Sequence, residues 1–270
     1  HNCLVGSEMC IRDSYTFIKI IQNENFLNII LNRPEKKNAL NPVMINEISD
    51  ILEKCESDNS FKIILITSSC NIFCAGADLG YLKKIKNFSN EENLTDSKLL
   101  MSLYKKMLKS SKLIISLVKG HAIAGGCGIA CASDIIFATR DCKFGYPEVK
   151  IGFIPALVST FLSSRINESS VRDLLLSGKL ISSKRALEIG LINYVIDQNT
   201  IDSEVMNYIE KISVENSTNS IKETKELLYA NMNIDKKLEL AAKLNAKNRQ
   251  SKDFEIGINN FLNKKINKWN

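Results

Sequence analysis

The sequence predicts an α/β fold: repeated strand–strand–helix units, closed by a helical C-terminal third. Three observations carry that reading. Residues 61–67 and 113–118 are short, β-branched and mostly apolar, as strands covered on both faces are. Each run leads to a glycine-containing junction that opens a helix, FCAGADLGYL at 73–82 and AGGCGIACAS at 124–133. From Asp202 the pattern is helical, with no Gly or Pro between Ile201 and Ile256.

The 270 residues suffice for a large core, and 44% hydrophobic with 24% charged residues is ordinary for a globular protein. The net charge of +6 is thinly spread and reads as a Lys-rich solvated surface; it also suits anionic small molecules. No apolar run approaches the roughly 20 residues of a membrane span, and no secretory leader pattern is present. A soluble cytoplasmic protein is therefore expected. Eight cysteines stand against two histidines, His1 and His121. The pairs Cys70/Cys74 and Cys127/Cys131 have four-residue spacing without nearby histidines, so reduced thiols and no metal are expected.

Residues 1–13 show no periodicity and are expected to be a disordered or non-native leader; the core is assigned to 14–200 and a helical region to 201–270. Strands at 15–22 and 26–31 flank the hairpin signal Asn23-Glu24-Asn25. NRPEKKNAL, residues 32–40, is a polar loop. Asn41 caps a helix with Pro42 at its first position, and Val43, Ile45, Ile48, Ile51 and Leu52 form its apolar face. After the strand at 61–67, Asp78 opens a helical segment. Residues 83–98 are polar and are expected to be a mobile surface segment. An amphipathic helix follows at 99–108, with Lys105, Lys106 and Lys109 turned to solvent. The strand at 113–118 leads through Ala124-Gly125-Gly126 into a helix at 127–133, a strand at 135–138, and a loop bearing Tyr146-Pro147-Glu148. Helices at 156–164, 169–177 and 182–189, the last ended by Gly190, precede a strand at 191–195.

A strand that passes through glycines into a helix aims bare main-chain N–H groups at one spot, where an oxyanion can sit. One such junction is an ordinary turn; two after buried strands point to a site. Glu148 follows Gly128 by twenty residues, within chain-reach of the same pocket. His121, with no second ligand beside it, reads as structural.

These segments, in their order, resemble the crotonase superfamily, the enoyl-CoA hydratase/isomerase fold, from Tyr15 to the end. LNRPEKKNALN is similar to its coenzyme A-binding loop, and FCAGADL and AGGCGIACASDIIFA to its two oxyanion segments. FGYPEVKIGFIP resembles the segment with a catalytic glutamate; SGKLISSKRALEIGLINYVI and FLNKKINKW also match. The resemblance implies a spiral of ββα turns, a homotrimer or homohexamer completed by the C-terminal helices, and a coenzyme A thioester as substrate with no separate cofactor. By the same resemblance, the N–H groups of Ala77 and Gly125 hold the thioester oxygen, and Glu148 is the acid/base. Losing one such donor typically costs about 3–4 kcal/mol of barrier. Lys36 and Lys37 fall near the nucleotide end of coenzyme A. Ala39, Ala75, Asp78, Leu79 and Gly126 fall beside the thioester, and Phe261 and Lys264 within reach of a neighbouring subunit's nucleotide.

One position departs from the pattern. The hydratases carry two glutamates twenty residues apart; Glu148 matches the second, and the first falls on Gly128. Three readings follow. A 2-enoyl-CoA hydratase is favoured by the segments around Gly125 and Glu148. An enoyl-CoA isomerase is favoured by the single carboxylate, with Gly128 leaving room for substrate. A non-catalytic coenzyme A- or RNA-binding protein is disfavoured by retention of Glu148 and by the lack of any RNA motif; neither nucleic acid nor membrane is an expected partner. On the hydratase reading, Gly128→Glu raises hydration if the side chain fits.

Overall fold

Strands whose side chains are apolar on both faces need a layer on each side, and that requirement organises this chain. The structure, a computed structural model, describes residues 15–267 and 269; the expected leader lies outside the described residues. Strands β1 (Ile18–Gln22) and β2 (Phe26–Leu31) form the expected hairpin, and a 3₁₀ turn (Pro34–Lys36) leads to helix α1 (Pro42–Ser57). Asn41 caps α1 by accepting from Met44 N–H at 2.9 Å. Next come β3 (Ile63–Ser68), β4 (Ile72–Cys74), α2 (Leu79–Ile85) and α3 (Asn90–Lys109). Strands β5 (Leu113–Val118) and β6 (His121–Ile123) precede α4 (Gly125–Ala132). Then β7 (Ile135–Thr139) and β8 (Lys143–Gly145) lead to a 3₁₀ turn (Pro147–Ile151), α5 (Ala156–Leu162) and α6 (Glu168–Ser177). Strand β9 (Leu180–Ser182), α7 (Ser183–Glu188) and β10 (Tyr194–Ile196) close the core. The helices α8 (Ile201–Glu215), α9 (Thr218–Met232), α10 (Asp235–Asn248) and α11 (Lys252–Leu262) finish the chain.

The six-stranded sheet runs β1-β2-β3-β5-β7-β10, parallel except for the β1–β2 hairpin. One face packs on the main core with α1 and α3. The other meets α8, whose Ile201, Val205 and Ile209 cover Ile63, Leu65, Ile115, Leu117 and Phe137. That double cover explains the unbroken apolar runs. A second sheet runs β4-β6-β8-β9, each strand three residues long. It carries the turns that follow β4, β6 and β8, and it follows from no pattern in the sequence.

The segment 83–98 corrects the sequence expectation of a mobile surface. Helix α2 extends to Ile85, and α3 begins at Asn90, nine residues before the expected start. Ser89 and Glu92 form a reciprocal capping box, Ser89 Oγ accepting from Glu92 N–H and Glu92 accepting from Ser89 N–H. Asn93 and Ser97 are buried. A polar composition here marks a helix that buries its polar groups with partners. Lys105, Lys106 and Lys109 reach solvent as expected, yet they also pair with Asp235 and Glu53 on the packed helices. Cys55, Cys70, Cys74, Cys127, Cys131 and Cys142 are free thiols. Among the described residues, no helix is long and apolar enough to cross a membrane, and no group of three or more His, Cys, Asp or Glu is placed to hold a metal.

Candidate active site

Strands β4 and β6 are parallel neighbours, Ile72 opposite His121 and Cys74 opposite Ala122, so the junctions that follow them leave the sheet at the same edge. They touch: a Cβ added at Gly76 (φ 88°) would lie 2.9 Å from Ala124 Cβ. Ala124 itself holds φ 52° and ψ −125°, a conformation sparsely populated by residues with a Cβ, and strain of this kind costs about 1–3 kcal/mol. Gly125 is the first residue of α4, so its N–H has no intrahelical acceptor. At the other junction Leu40 N–H donates to Gly76 O (2.7 Å), and Asp78 N–H donates to Leu40 O (2.9 Å). The Ala77 N–H between them has no main-chain acceptor among the described turns.

The polar loop is tied to this edge by Asn38. Its Oδ1 accepts from Arg33 N–H (2.7 Å), and its Nδ2 donates to the carbonyls of Ile72 (3.1 Å) and Phe73 (3.2 Å). Arg33 in turn holds Asp78 at 2.8 Å. Lys36 and Lys37 are left exposed at the loop tip, with no ion pair among the described residues.

Glu148 sits on the 3₁₀ turn after β8 and is 8% exposed. Its Oε2 is buried with no hydrogen-bond partner among the described residues. Burial pushes its carboxyl up to about 7, where it exchanges a proton readily near neutral pH. A cavity of about 190 Å³ brings Glu148 together with Leu40, Ala75, Ala77, Ala124 and Gly125.

The remaining expected contacts divide. Ala39 is buried behind the loop, and Gly126 is pressed against Cys74, where an added Cβ would come within 2.5 Å. Asp78 does not line the cavity; Arg33 and the Tyr81 N–H it caps (2.8 Å) occupy its carboxylate. Leu79 is 52% exposed and turned away. Phe261 lines this chain's own cavity, whereas Lys264 does not. Gly128 corrects the expectation that it leaves room for substrate or for a new glutamate: a Cβ there would fall 2.2 Å from the Tyr104 hydroxyl.

Sequence reasoning missed the cavity's polar wall. Arg249 donates to Asp96 Oδ2 (2.5 Å), and Asp96 Oδ1 accepts from the Tyr81 hydroxyl (2.5 Å). Asn245 accepts from Ser97 Oγ (2.8 Å). Tyr104 was missed as well. Each lies on a helix, or in the case of Arg249 at its C-cap, where periodicity reports only which face is buried, and no local motif separates such a tyrosine or aspartate from its neighbours.

The family model described as enoyl-CoA hydratase/isomerase matches residues 22–270. A Thermus thermophilus protein provisionally named an enoyl-CoA hydratase is 35% identical over 239 residues, 88% of this chain and 94% of that protein. A Bacillus subtilis protein named as a probable enoyl-CoA hydratase is 30% identical, covering 90% of this chain and 94% of its own. Among solved structures, an enoyl-CoA hydratase/isomerase from Xanthobacter autotrophicus Py2 superposes with a TM-score of 0.84 at 26% identity, covering 92% of this chain and 93% of that chain. A methylmalonyl-CoA decarboxylase, at 22% identity and a TM-score of 0.83, shares the fold. The spiral of strand–strand–helix units with its helical C-terminal region is therefore a crotonase fold, and the chain belongs to the enoyl-CoA hydratase/isomerase family.

Proposed function

We propose that this protein is an enoyl-CoA hydratase, adding water reversibly to a 2-enoyl-CoA with Glu148 as acid/base. The observation that carries the reading is Glu148 itself: a buried carboxylate with an unpartnered oxygen, titrating at about 7, on a cavity shared with Ala77 and Gly125. Addition to the double bond drives charge onto the thioester oxygen. Fixed N–H dipoles at Ala77 and Gly125 stabilise that charge without having to reorganise. Lys36 and Lys37 offer two exposed cations on the loop beside the cavity for the phosphates of coenzyme A. The names of the relatives support the same chemistry. Coenzyme A enters as part of the substrate, and the proton transfers need no further cofactor. Assembly as a trimer or hexamer in the cytoplasm belongs to this reading, supported by exposed Leu227 and Leu228 and by the free thiols.

A second reading has a specific observation behind it. With Gly128 in place of a second glutamate, and Asp96 on the cavity wall engaged by Arg249 and Tyr81, Glu148 is the one carboxylate left free to act, which is enough to move a proton between C2 and C4 of an enoyl-CoA. Assaying the purified protein with crotonyl-CoA and with a 3-enoyl-CoA decides between them. Brisk hydration of crotonyl-CoA is expected; brisk double-bond migration with negligible hydration establishes the isomerase instead.

A further inference from the structure

The hydrogen side chain of Gly128 does not open a gap. A Cβ there would meet Tyr104 Oη at 2.2 Å, Tyr104 Cζ at 2.7 Å and Val158 Cγ1 at 2.9 Å. Tyr104, reaching across from α3, fills the volume into which a residue-128 side chain would project. It is fully buried from bulk solvent, yet it lines the same cavity as Glu148 and Gly125. Its ring is fixed edge-on against Phe161, with centroids 5.3 Å apart. Its hydroxyl proton is committed to Gly125 O at 3.1 Å. The oxygen keeps lone pairs with which to accept a hydrogen bond. Burial, and then the charge of Glu148, push the phenol well above its usual range, so it stays protonated.

Among the cavity's side-chain acceptors, those of Asn41, Asp96 and Asn245 are already engaged, which leaves the Glu148 carboxylate with its unpartnered Oε2 and the Tyr104 oxygen. A water molecule has two O–H groups to give. We propose that Tyr104 is the water-positioning residue of this site, its hydroxyl oxygen doing what a second carboxylate would otherwise do. The inference rests on the hydratase reading. One O–H of the water is held by Tyr104 Oη while Glu148 removes the other proton. The water oxygen bonds to C3, and the C2=C3 electron pair moves onto the thioester, whose oxygen is held by the Ala77 and Gly125 N–H groups. C2 then takes the proton back from Glu148, which ends as a carboxylate. One H–OH is added across the double bond, and Tyr104 keeps its own proton throughout.

The test is Tyr104→Phe, which keeps the ring and removes only the hydroxyl. Two reactions are followed: hydration of crotonyl-CoA, and exchange of the C2 protons of butanoyl-CoA in deuterated water. Exchange uses Glu148 and the two N–H donors but attaches no water to carbon. Hydration kcat should fall roughly 10–100-fold with KM within about twofold, the scale of one lost hydrogen bond, while exchange stays within about threefold. A merely structural role, in which the hydroxyl only steadies the Gly125 peptide, would slow both reactions together and overturn the proposal. Unchanged hydration in the variant would overturn it too and leave the hydratase reading standing. If the unmodified chain does not hydrate crotonyl-CoA, both fall.

Discussion

Glu148 ionises near 7 because burial penalises its charge, and that one fact has consequences for both rate and stability. As the proposed base it must be ionised, so hydration should rise with pH through an acid limb near 7; a limb near 4.5 would show that the wrong carboxylate has been chosen. Glu148→Gln, which removes the titrating proton, should lower hydration by about 10²–10⁴-fold. The stability effect has the opposite sign. A carboxyl raised from 4.5 to about 7 on folding is bound to its proton more tightly in the folded chain. Its contribution is fully present below about pH 4.5 and is lost as the pH rises through about 7. The gap is worth roughly 3 kcal/mol. Glu148→Gln should therefore melt higher than the unmodified chain at pH 8, with no such difference at pH 4; equal melting at both would show that the burial cost is absent. Gly128→Glu should not improve hydration. It must displace a ring wedged in the core, a kind of overpacking that costs about 1–3 kcal/mol, and a lowered Tm with lost activity is expected. Glu148 was legible because FGYPEVKIGFIP resembles a family segment and stands at a twenty-residue interval from Gly128. Tyr104 was not, because in sequence it is one more large residue on the buried stripe of a helix.

At the scale of elements, long apolar runs announced themselves and short ones did not. Strands β3 and β5 were legible because both faces are covered. Strands β4, β6, β8 and β9 are three residues each, too short for any period to register, yet they align the two glycine-bearing junctions and the Glu148 turn. The N-terminal half of α3 was hidden by its polarity. Its Asp96, partly buried, pairs with the buried Arg249, and the partners of a polar residue 153 positions away cannot be read from local sequence. That pair supports a prediction. Arg249→Ala leaves a partly buried carboxylate without its ion-pair partner, held by the Tyr81 hydroxyl alone, and should cost about 1–3 kcal/mol, whereas Arg249→Ala with Asp96→Ala should recover part of the loss. Chemical denaturation of the three variants measures it; additive losses would mean the pair is not coupled.

Across the whole molecule, helices α9 and α10 leave Leu227, Leu228, Leu240 and Leu244 between 48% and 67% exposed, more apolar surface than one folded chain has reason to show. The proposed trimer or hexamer covers such surface, and sedimentation should return three or six times the mass of the chain. A monomer at micromolar concentration would remove that part of the reading. The order of elements and the helical C-terminal third were legible because they are written in long patterns. The closeness of chain-distant residues was not.

One such closeness governs when the site comes into being. A Cβ added at Gly257 would fall 2.2 Å from Ile151 O, and one at Gly152 would fall 2.2 Å from Asp253 O, so α11 lies backbone to backbone on the turn that carries Glu148. During synthesis that turn leaves the ribosome long before residues 253–257 exist to press on it. A nascent chain that has already built its sheets still lacks the support under its acid. On the proposed reading, competence thus arrives late in translation, with the last helix.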